Sequence, residues 1–301
     1  RQEKSIPAVH VAGTNGKGST CRALAQMLTG MGYRVGLFTS PHLVSINERI
    51  QIDGENISDA DFVWAFETVK EKFTQHPSFF EVMFAMAAVY FREKKCDFVV
   101  YETGMGGRLD ATNVLMPELS IITSVGMDHM EYLGDTIEKI AAEKAGIIKP
   151  GIPIIYFKRD EAVAKVIEDT ARGQKSPVIP VEKQDYIINH LGDKTIDFSL
   201  HSRYYSYCNL VIQKTSLYQL ENISLAVMAF YGLMKARNAS EEDIEKGIRE
   251  TLPEFYWEGR MEEIAPHIYV DGAHNVEAIR AYIDTCLLYT SPSPRDLSTS
   301  R

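Results

Sequence analysis

The sequence predicts an α/β fold: a doubly wound, mostly parallel P-loop-type sheet with helices on both faces and a small antiparallel annex. Three observations predict it. Short apolar runs alternate with helical patterns over the first half of the chain. Two of these runs, residues 97–103 (DFVVYET) and 119–125 (LSIITSV), are nearly continuous in apolar character, like strands buried on both faces of a parallel sheet. The earliest run passes through a glycine-rich turn straight into a helix, the arrangement of a phosphate-binding βα unit.

Residues 7–12 (PAVHVA) read as a buried strand, 13–18 as a tight glycine-rich loop, and 19–30 as a helix ending at Gly30. Residues 33–39 (YRVGLFT) supply the next strand. A helix over 58–73 carries apolar residues at helical spacing behind Ser58 as N-cap, and 79–92 form a second, more apolar helix. The strands at 97–103 and 119–125 are followed by a helix at 136–147, a strand at 152–157 and a helix at 161–171. The texture then changes. Residues 185–213 alternate polar with apolar, and Gly192-Asp193 is a hairpin signal, so this stretch is the antiparallel annex. Helices return at 218–235 and 241–250, a strand is expected at 264–270, and an apparent helix at 278–284 breaks off in mid-pattern. From Cys286 the chain continues as LLYTSPSPRDLSTSR, rich in Ser and Pro and without helical or strand period. It resembles a translated cloning adaptor, so 286–301 are set aside from the fold as a non-native tail. No internal repeat is visible.

Composition bounds the function. The chain has 301 residues, 45% hydrophobic and 24% charged, which excludes a disordered or collagen-like chain. No apolar stretch reaches the roughly 18–20 residues of a membrane helix. Residues 1–4 are charged and polar and lead directly into the first strand, so no signal peptide is visible, and a native segment ahead of Arg1 is expected because the chain begins without Met. Cys21, Cys96, Cys208 and Cys286 are widely separated with no CxxC pair, which fits reduced cytosolic thiols rather than disulfides or zinc. A net charge of −9 gives no global basic field for nucleic acid. A cytoplasmic globular enzyme, binding neither membrane nor nucleic acid, is the expectation.

Four sets of residues carry chemistry. In the run from His10 to Thr20 (HVAGTNGKGST), glycines let backbone N–H groups approach a phosphate and the helix terminus adds a positive dipole. Lys17 can reach the β- and γ-phosphates, and Ser19 or Thr20 can face Mg²⁺. The strict GxxxxGK[ST] pattern is not met: Val11 stands at the first Gly position, and Gly18 separates Lys17 from Ser19. A generic βα turn is the bland alternative, and a GxGxxG dinucleotide site would leave Lys17 without a role. The second set, ETGMGGRLDATN from Glu102 to Asn113, opens with a carboxylate at a strand's C-terminal end, where α/β sheets place ligand-binding groups and where a Mg²⁺ ligand belongs. The third is Asp128-His129 at the end of the next strand, with Glu143-Lys144 further on; Lys144 alone reads as a solvated helix residue. The fourth comprises residues 218–222 with Asn222, 257–262 with Arg260, and 271–275 (DGAHN), each weak on its own.

Taken together and in order from His10 to Asn275, these blocks resemble the folylpolyglutamate synthase/dihydrofolate synthase family, a branch of the Mur ligase superfamily. HVAGTNGKGS and ETGMGGRLDATN are specific to that branch, and the inserted Gly18 fits it. The resemblance implies an ATP-dependent ligase that activates a pterin-linked carboxylate (dihydropteroate or a reduced folate) as an acyl phosphate and joins it to L-glutamate, in folate biosynthesis and polyglutamylation. It implies that Asn15, Gly16, Lys17, Gly18, Ser19 and Thr20 hold the ATP phosphates, with Asn222, Arg260, Asp271 and His274 as further ATP contacts. Ser40, Glu102 and His129 match the family's Mg²⁺ ligands, and a second divalent ion or K⁺ is compatible with the pattern. Lys144 matches a lysine carbamylated in the family; with Lys17 and His129 it forms the implied catalytic set. Phe79, Phe80, Glu81, Leu109, Asp110 and Ala111 match the pterin-binding regions.

The same resemblance implies a domain plan: residues 1–262 as the central ATP-binding domain and 263–285 as the start of a C-terminal Rossmann-like glutamate-ligase domain that is otherwise missing. The chain as given is therefore expected to be a monomeric fragment that binds ATP weakly without turnover, with exposed apolar surface over 264–282. Three rivals stand beside this reading. A P-loop kinase or GTPase would need a strict GK[ST], and a GTPase an NKxD motif that residues 189–194 do not supply. A Mur-type ligase on a UDP-muramyl acceptor is closest in chemistry, and a non-catalytic ATP-binding remnant is the third.

Overall fold

The computed structural model describes residues 6–192, 195–213, 216–265 and 268–290. Strand β1 (Ala8–Ala12) leads into α1 (Lys17–Gly30), β2 (Val35–Phe38), β3 (Ile50–Ile52), β4 (Glu55–Asn56), α2 (Asp59–Lys70), α3 (Phe79–Glu93) and β5 (Phe98–Glu102). Then follow β6 (Leu119–Ile122), α4 (Met130–Leu133), α5 (Ile137–Ala145), β7 (Ile154–Phe157), α6 (Glu161–Gly173) and β8 (Val178–Val181). The remainder is β9 (Tyr186–Leu191), β10 (Thr195–His201), β11 (Ser206–Gln213), α7 (Gln219–Lys235), α8 (Glu241–Thr251), β12 (Glu262–Ala265), β13 (Ile268–Val270) and α9 (Val276–Thr290).

The first eight strands form one sheet in the order β4-β3-β2-β5-β1-β6-β7-β8. It is parallel from β2 to β8, with antiparallel β3 and β4 at one edge. Side-chain alternation explains the two covered faces. Val9 and Val11 of β1, Phe98 and Val100 of β5, and Ile155 and Phe157 of β7 share one core with Leu24 and Leu28 of α1, Phe230 of α7 and Ile248 of α8. Their neighbours point the other way. Val99 and Tyr101 pack with Met83, Met86 and Phe91 of α3, while Ile154 and Tyr156 pack with Ala141 of α5 and Ile167 of α6. The annex is a three-stranded antiparallel sheet, β11-β10-β9, whose Phe198, Leu210 and Ile212 join the α1/α7/α8 core.

From β1 the chain moves to β2 on one side, and from β5 it crosses to β6 on the other. The strand order reverses at β1, so the crevice beyond its C-terminal end is where an open α/β sheet binds a ligand.

Several boundaries differ from expectation. α1 starts at Lys17 rather than Ser19, because Gly16 in the left-handed region (φ 84°) heads the helix. β6 ends at Ile122, so His129 does not terminate a strand; it stands in the following loop at φ 49° and heads α4, which the sequence did not suggest. β3, β4 and β8 were also unforeseen. The single strand expected at 264–270 is a hairpin, with Glu262 of β12 opposite Val270 of β13. Helix α9 runs to Thr290, past the point where its pattern seemed to break. Asp193 at the expected hairpin tip, and 291–301 of the expected tail, lie outside the described residues. The apolar surface expected over 264–282 is present, with Ile264, Ile268, Val276 and Ile279 exposed.

Candidate active site

A cavity of about 210 Å³ occupies the crevice at the sheet's switch point. Almost every wall comes from a segment that follows the C-terminal end of a parallel strand: 13–19 after β1, Ser40 and Pro41 after β2, Glu102 and 104–106 at and after β5, Ser124, Asp128 and His129 after β6, and Arg159 after β7. Helix α7 closes one side, and residues 271–281 close another.

The phosphate loop is built around Gly16. Its positive φ is one that L side chains rarely adopt, and a Cβ there would stand 2.1 Å from Asn222 Oδ1. No side chain caps α1, so its first-turn N–H groups, at Lys17, Gly18 and Ser19, are open to an anion. Helix α7 holds the loop from beneath. Gln219 donates to Ser19 Oγ (3.1 Å), Asn222 donates to Gln219 (2.8 Å), and the Thr20 hydroxyl donates to the Asn222 carbonyl (3.4 Å). Asn15, Gly16, Lys17, Gly18, Ser19 and Asn222 all line the cavity; Thr20 does not, being fully buried in the helix–helix contact.

Lys17 Nζ lies 3.8 Å from Glu102 Oε1 and 3.4 Å from the Thr14 carbonyl. Glu102 is 3% exposed, and its Oε2 accepts the Ser40 N–H at 3.0 Å. Burial pushes its carboxyl above the usual range, against the opposing pull of Lys17, the Ser40 N–H, Arg260 and Arg49. Ser40, Glu102 and His129 share this cavity, with Glu102 buried and His129 about half exposed. No three acid, His or Cys side chains converge to hold a metal by themselves among the described residues. One buried carboxylate and a hydroxyl, completed by phosphate oxygens, is nevertheless the kind of oxygen set that Mg²⁺ takes.

Lys144 is not the solvated residue its sequence suggested. It is 2% exposed, on the inner face of α5, and lines the cavity. Burial, reinforced by the like charge of Lys17 and only partly opposed by Asp128, pulls its pKa down to about 7. An amine neutral at physiological pH is a nucleophile rather than a fixed cation.

The C-terminal stretch closes the crevice through hydrogen bonds. Asn275 and Asn15 pair through their amides (2.9 and 3.2 Å), and Asn275 also donates to Asp128 at 3.0 Å. Burial would raise the Asp128 pKa, but Asn275, His129 and His274 carry it below the ordinary value. Asp271 and His274 line the cavity, as does Arg260, whose guanidinium lies against Gly272. The Asp271 carboxylate is already committed: it accepts from Tyr218 OH (2.6 Å), Met261 N–H (2.9 Å) and Ala273 N–H (2.9 Å).

The six residues matched to pterin binding stand outside this cavity. Phe79 is half exposed beneath Arg49 (5.1 Å), Phe80 packs against Phe38 and Gly104, and Glu81 forms a capping box with Ser78. Leu109 is exposed, and Ala111 opens a short 3₁₀ turn capped by Asp110. Sequence reasoning picks out Asp128 only beside His129 and Glu221 only within 218–222, and passes over Arg159 and Glu277; all four line the cavity, with Arg159 and Glu221 forming a two-oxygen ion pair at 2.7 and 2.5 Å. For Arg159 the available signal was its place just after a strand.

Comparison with known proteins shows which chains this one is similar to. The Mur ligase middle domain matches residues 11–239. The dihydrofolate synthase/folylpolyglutamate synthase of Bacillus subtilis (strain 168) is 40% identical over 297 residues, covering 94% of this chain and 68% of its own length. The folylpolyglutamate synthase of Lacticaseibacillus casei is 34% identical, covering 91% and 66%. The chain thus spans about two thirds of these relatives. Among solved structures, the apo form of L. casei FPGS superposes with a TM-score of 0.87 at 32% identity, over 96% of this chain and 73% of that one. An FPGS–AMPPCP–folate complex gives the same score and identity over the same shares.

Proposed function

This chain belongs to the folylpolyglutamate synthase/dihydrofolate synthase family of Mur-type, ATP-dependent ligases, and from that premise we propose how its residues divide the work. ATP phosphorylates the carboxylate of dihydropteroate or a reduced folate; the amine of L-glutamate then attacks the acyl phosphate, forming the amide and releasing phosphate. The observation that carries the proposal is the meeting of an open helix N-terminus, Lys17, buried Glu102 and buried Lys144 in one cavity at the switch point.

The first-turn N–H groups of α1 bind the phosphates, and Lys17 offsets charge at the β- and γ-positions as the phosphoryl group moves. Arg260 adds a second cation from the opposite wall, and Asn222 and the 271–274 turn complete the nucleotide side. Glu102, Ser40 and His129 would hold Mg²⁺, with a second divalent ion or K⁺ as an addition. The cation would shield the charge gathered on the transferring phosphoryl group. Lys144, largely deprived of its proton by burial, adds its neutral nitrogen to CO₂; one proton is released, and the product is an anionic carbamate beside His129 and Asp128. His129 or that carbamate takes the proton that the glutamate amine must lose. Phe79, Phe80, Glu81, Leu109, Asp110 and Ala111 form the pterin side. The widely separated thiols support a cytosolic setting for this chemistry.

The test is turnover by the full-length protein. ATP consumption should require both L-glutamate and dihydropteroate or a reduced folate, with a product heavier by one glutamyl unit. Consumption indifferent to the pterin overturns the proposal.

A further inference from the structure

Histidine 10 lies in the middle of β1, fully buried, two strand positions before the chain turns into the phosphate loop. Its Nε2 is 2.7 Å from Thr112 Oγ1. The Thr112 hydroxyl has a single proton, and it lies 2.5 Å from Asp110 Oδ1, an atom that only accepts. That proton therefore goes to Asp110, and His10 must donate from Nε2. Asp110 spends its remaining capacity on the backbone: Oδ1 accepts the Thr112 N–H (3.0 Å), and Oδ2 accepts the N–H groups of Gly104 (2.9 Å) and Met105 (3.0 Å). A continuous relay thus runs from the central strand to the loop of residues 104–106, which walls the cavity just beyond Glu102 and backs onto Phe80 through Gly104.

The other ring nitrogen explains why this position holds histidine. His10 Nδ1 is inaccessible and has no hydrogen-bond partner. An apolar residue would pack there without leaving a polar atom unsatisfied, so the Nε2–H bond is what offsets the cost of the orphan. Burial, with the charge of Lys149, pushes the His10 pKa down to about 3, so the ring stays neutral with one N–H at working pH.

We propose that His10 is a positioning residue for the acceptor: through Thr112 and Asp110 it fixes the loop between the phosphate site and the surface that bears Phe80 and Leu109. The acceptor part rests on the ligase reading above; the relay does not. Amide hydrogen exchange reads the relay without any ligand. In H10L, in H10N (which offers an amide near Nδ1 rather than Nε2) and in near-isosteric T112V, the Gly104 and Met105 amides should exchange at least about tenfold faster while α1 stays protected. H10Q, whose amide nitrogen reaches the Nε2 position, should restore protection to within about threefold.

In turnover by the full-length protein, KM for dihydropteroate should rise about tenfold in T112V and H10N, with kcat and KM for ATP within about twofold and recovery in H10Q. Unchanged exchange at Gly104 and Met105 overturns the relay, and rescue by H10N equal to that by H10Q overturns the Nε2 assignment. Faster exchange with an unmoved acceptor KM overturns the positioning role. A wild-type enzyme that ignores dihydropteroate defeats the functional reading alone, because exchange still decides the relay.

Discussion

Lys144 carries a prediction whose size follows from the structure. Its pKa falls from the ordinary 10.5 to about 7, which at about 1.36 kcal/mol per unit is a penalty of roughly 5 kcal/mol on the charged form. The unfolded chain keeps this proton up to about pH 10.5, whereas the folded chain releases it near 7. Between those values the unfolded state binds more protons, so wild-type stability rises with pH; below pH 7 the penalty is fully present. Lys144→Met keeps the side-chain stem and removes the charge. Its ceiling of stabilisation is about 5 kcal/mol at pH 6.5 and about 2 kcal/mol at pH 9, where only the remaining 1.5 units separate the pH from the unfolded value. Relaxation and water penetration reduce such burial penalties in proteins generally, so about half of each figure is expected. Urea denaturation in CO₂-free buffer, followed through Trp64 and Trp257, measures both gains. A variant no more stable than wild type at pH 6.5, or a gain that does not shrink with pH, refutes the reasoning. Turnover should vanish in the same variant, a trade of function against stability.

Lys17→Ala and Glu102→Ala should each abolish glutamate-dependent turnover while leaving circular dichroism unchanged; activity within about tenfold of wild type would remove the assigned role. Gly16→Ala forces a Cβ to 2.1 Å from Asn222 Oδ1 at a φ of 84°, and the affinity for a non-hydrolysable ATP analogue should drop at least about tenfold by calorimetry. ¹³C-bicarbonate should give a carbamate resonance in the wild type that is absent from Lys144→Met; the same signal in both would exclude Lys144 as its origin. Phe230→Ala, at a fully buried position shared by α7 and the sheet, should cost about 3–5 kcal/mol in urea denaturation.

The parallel strands were legible because a strand buried on both faces must be apolar at nearly every position, as FVVYE and LSII are. The misses have local causes. β8 reads VIPV, and Pro180 argues against a strand except at an edge, which is where β8 lies. β3 has only three residues and β4 two, too few for any period to register. For α1, the start expected at Ser19 comes from reading 13–18 as one glycine-rich loop, whereas Gly16 heads the helix without a side-chain cap and leaves its N–H groups free for a ligand. That departure from ordinary capping is itself a functional signal.

The same argument applies more sharply to Lys144. The buried positions of α5 are Ile140, Ala141, Lys144 and Ala145, the i, i+1, i+4, i+5 stripe of an amphipathic helix. A lysine on that stripe is forced inward unless the helix rotates and exposes Ile140. Its burial was therefore readable from spacing alone, and a lysine is almost never fully buried without a reason. What spacing could not supply is the partner. Lys144 meets the cavity because the Arg108 N–H donates to the Glu143 carbonyl (2.7 Å) and the Asn113 amide to the Gly146 carbonyl (3.2 Å), locking the end of α5 against the loop after β5. Those bonds join segments about 35 positions apart in sequence, and no local pattern encodes them. Helical period put the charge inside; only the fold could place it beside Lys17 and Asp128, where losing a proton is its way of remaining there.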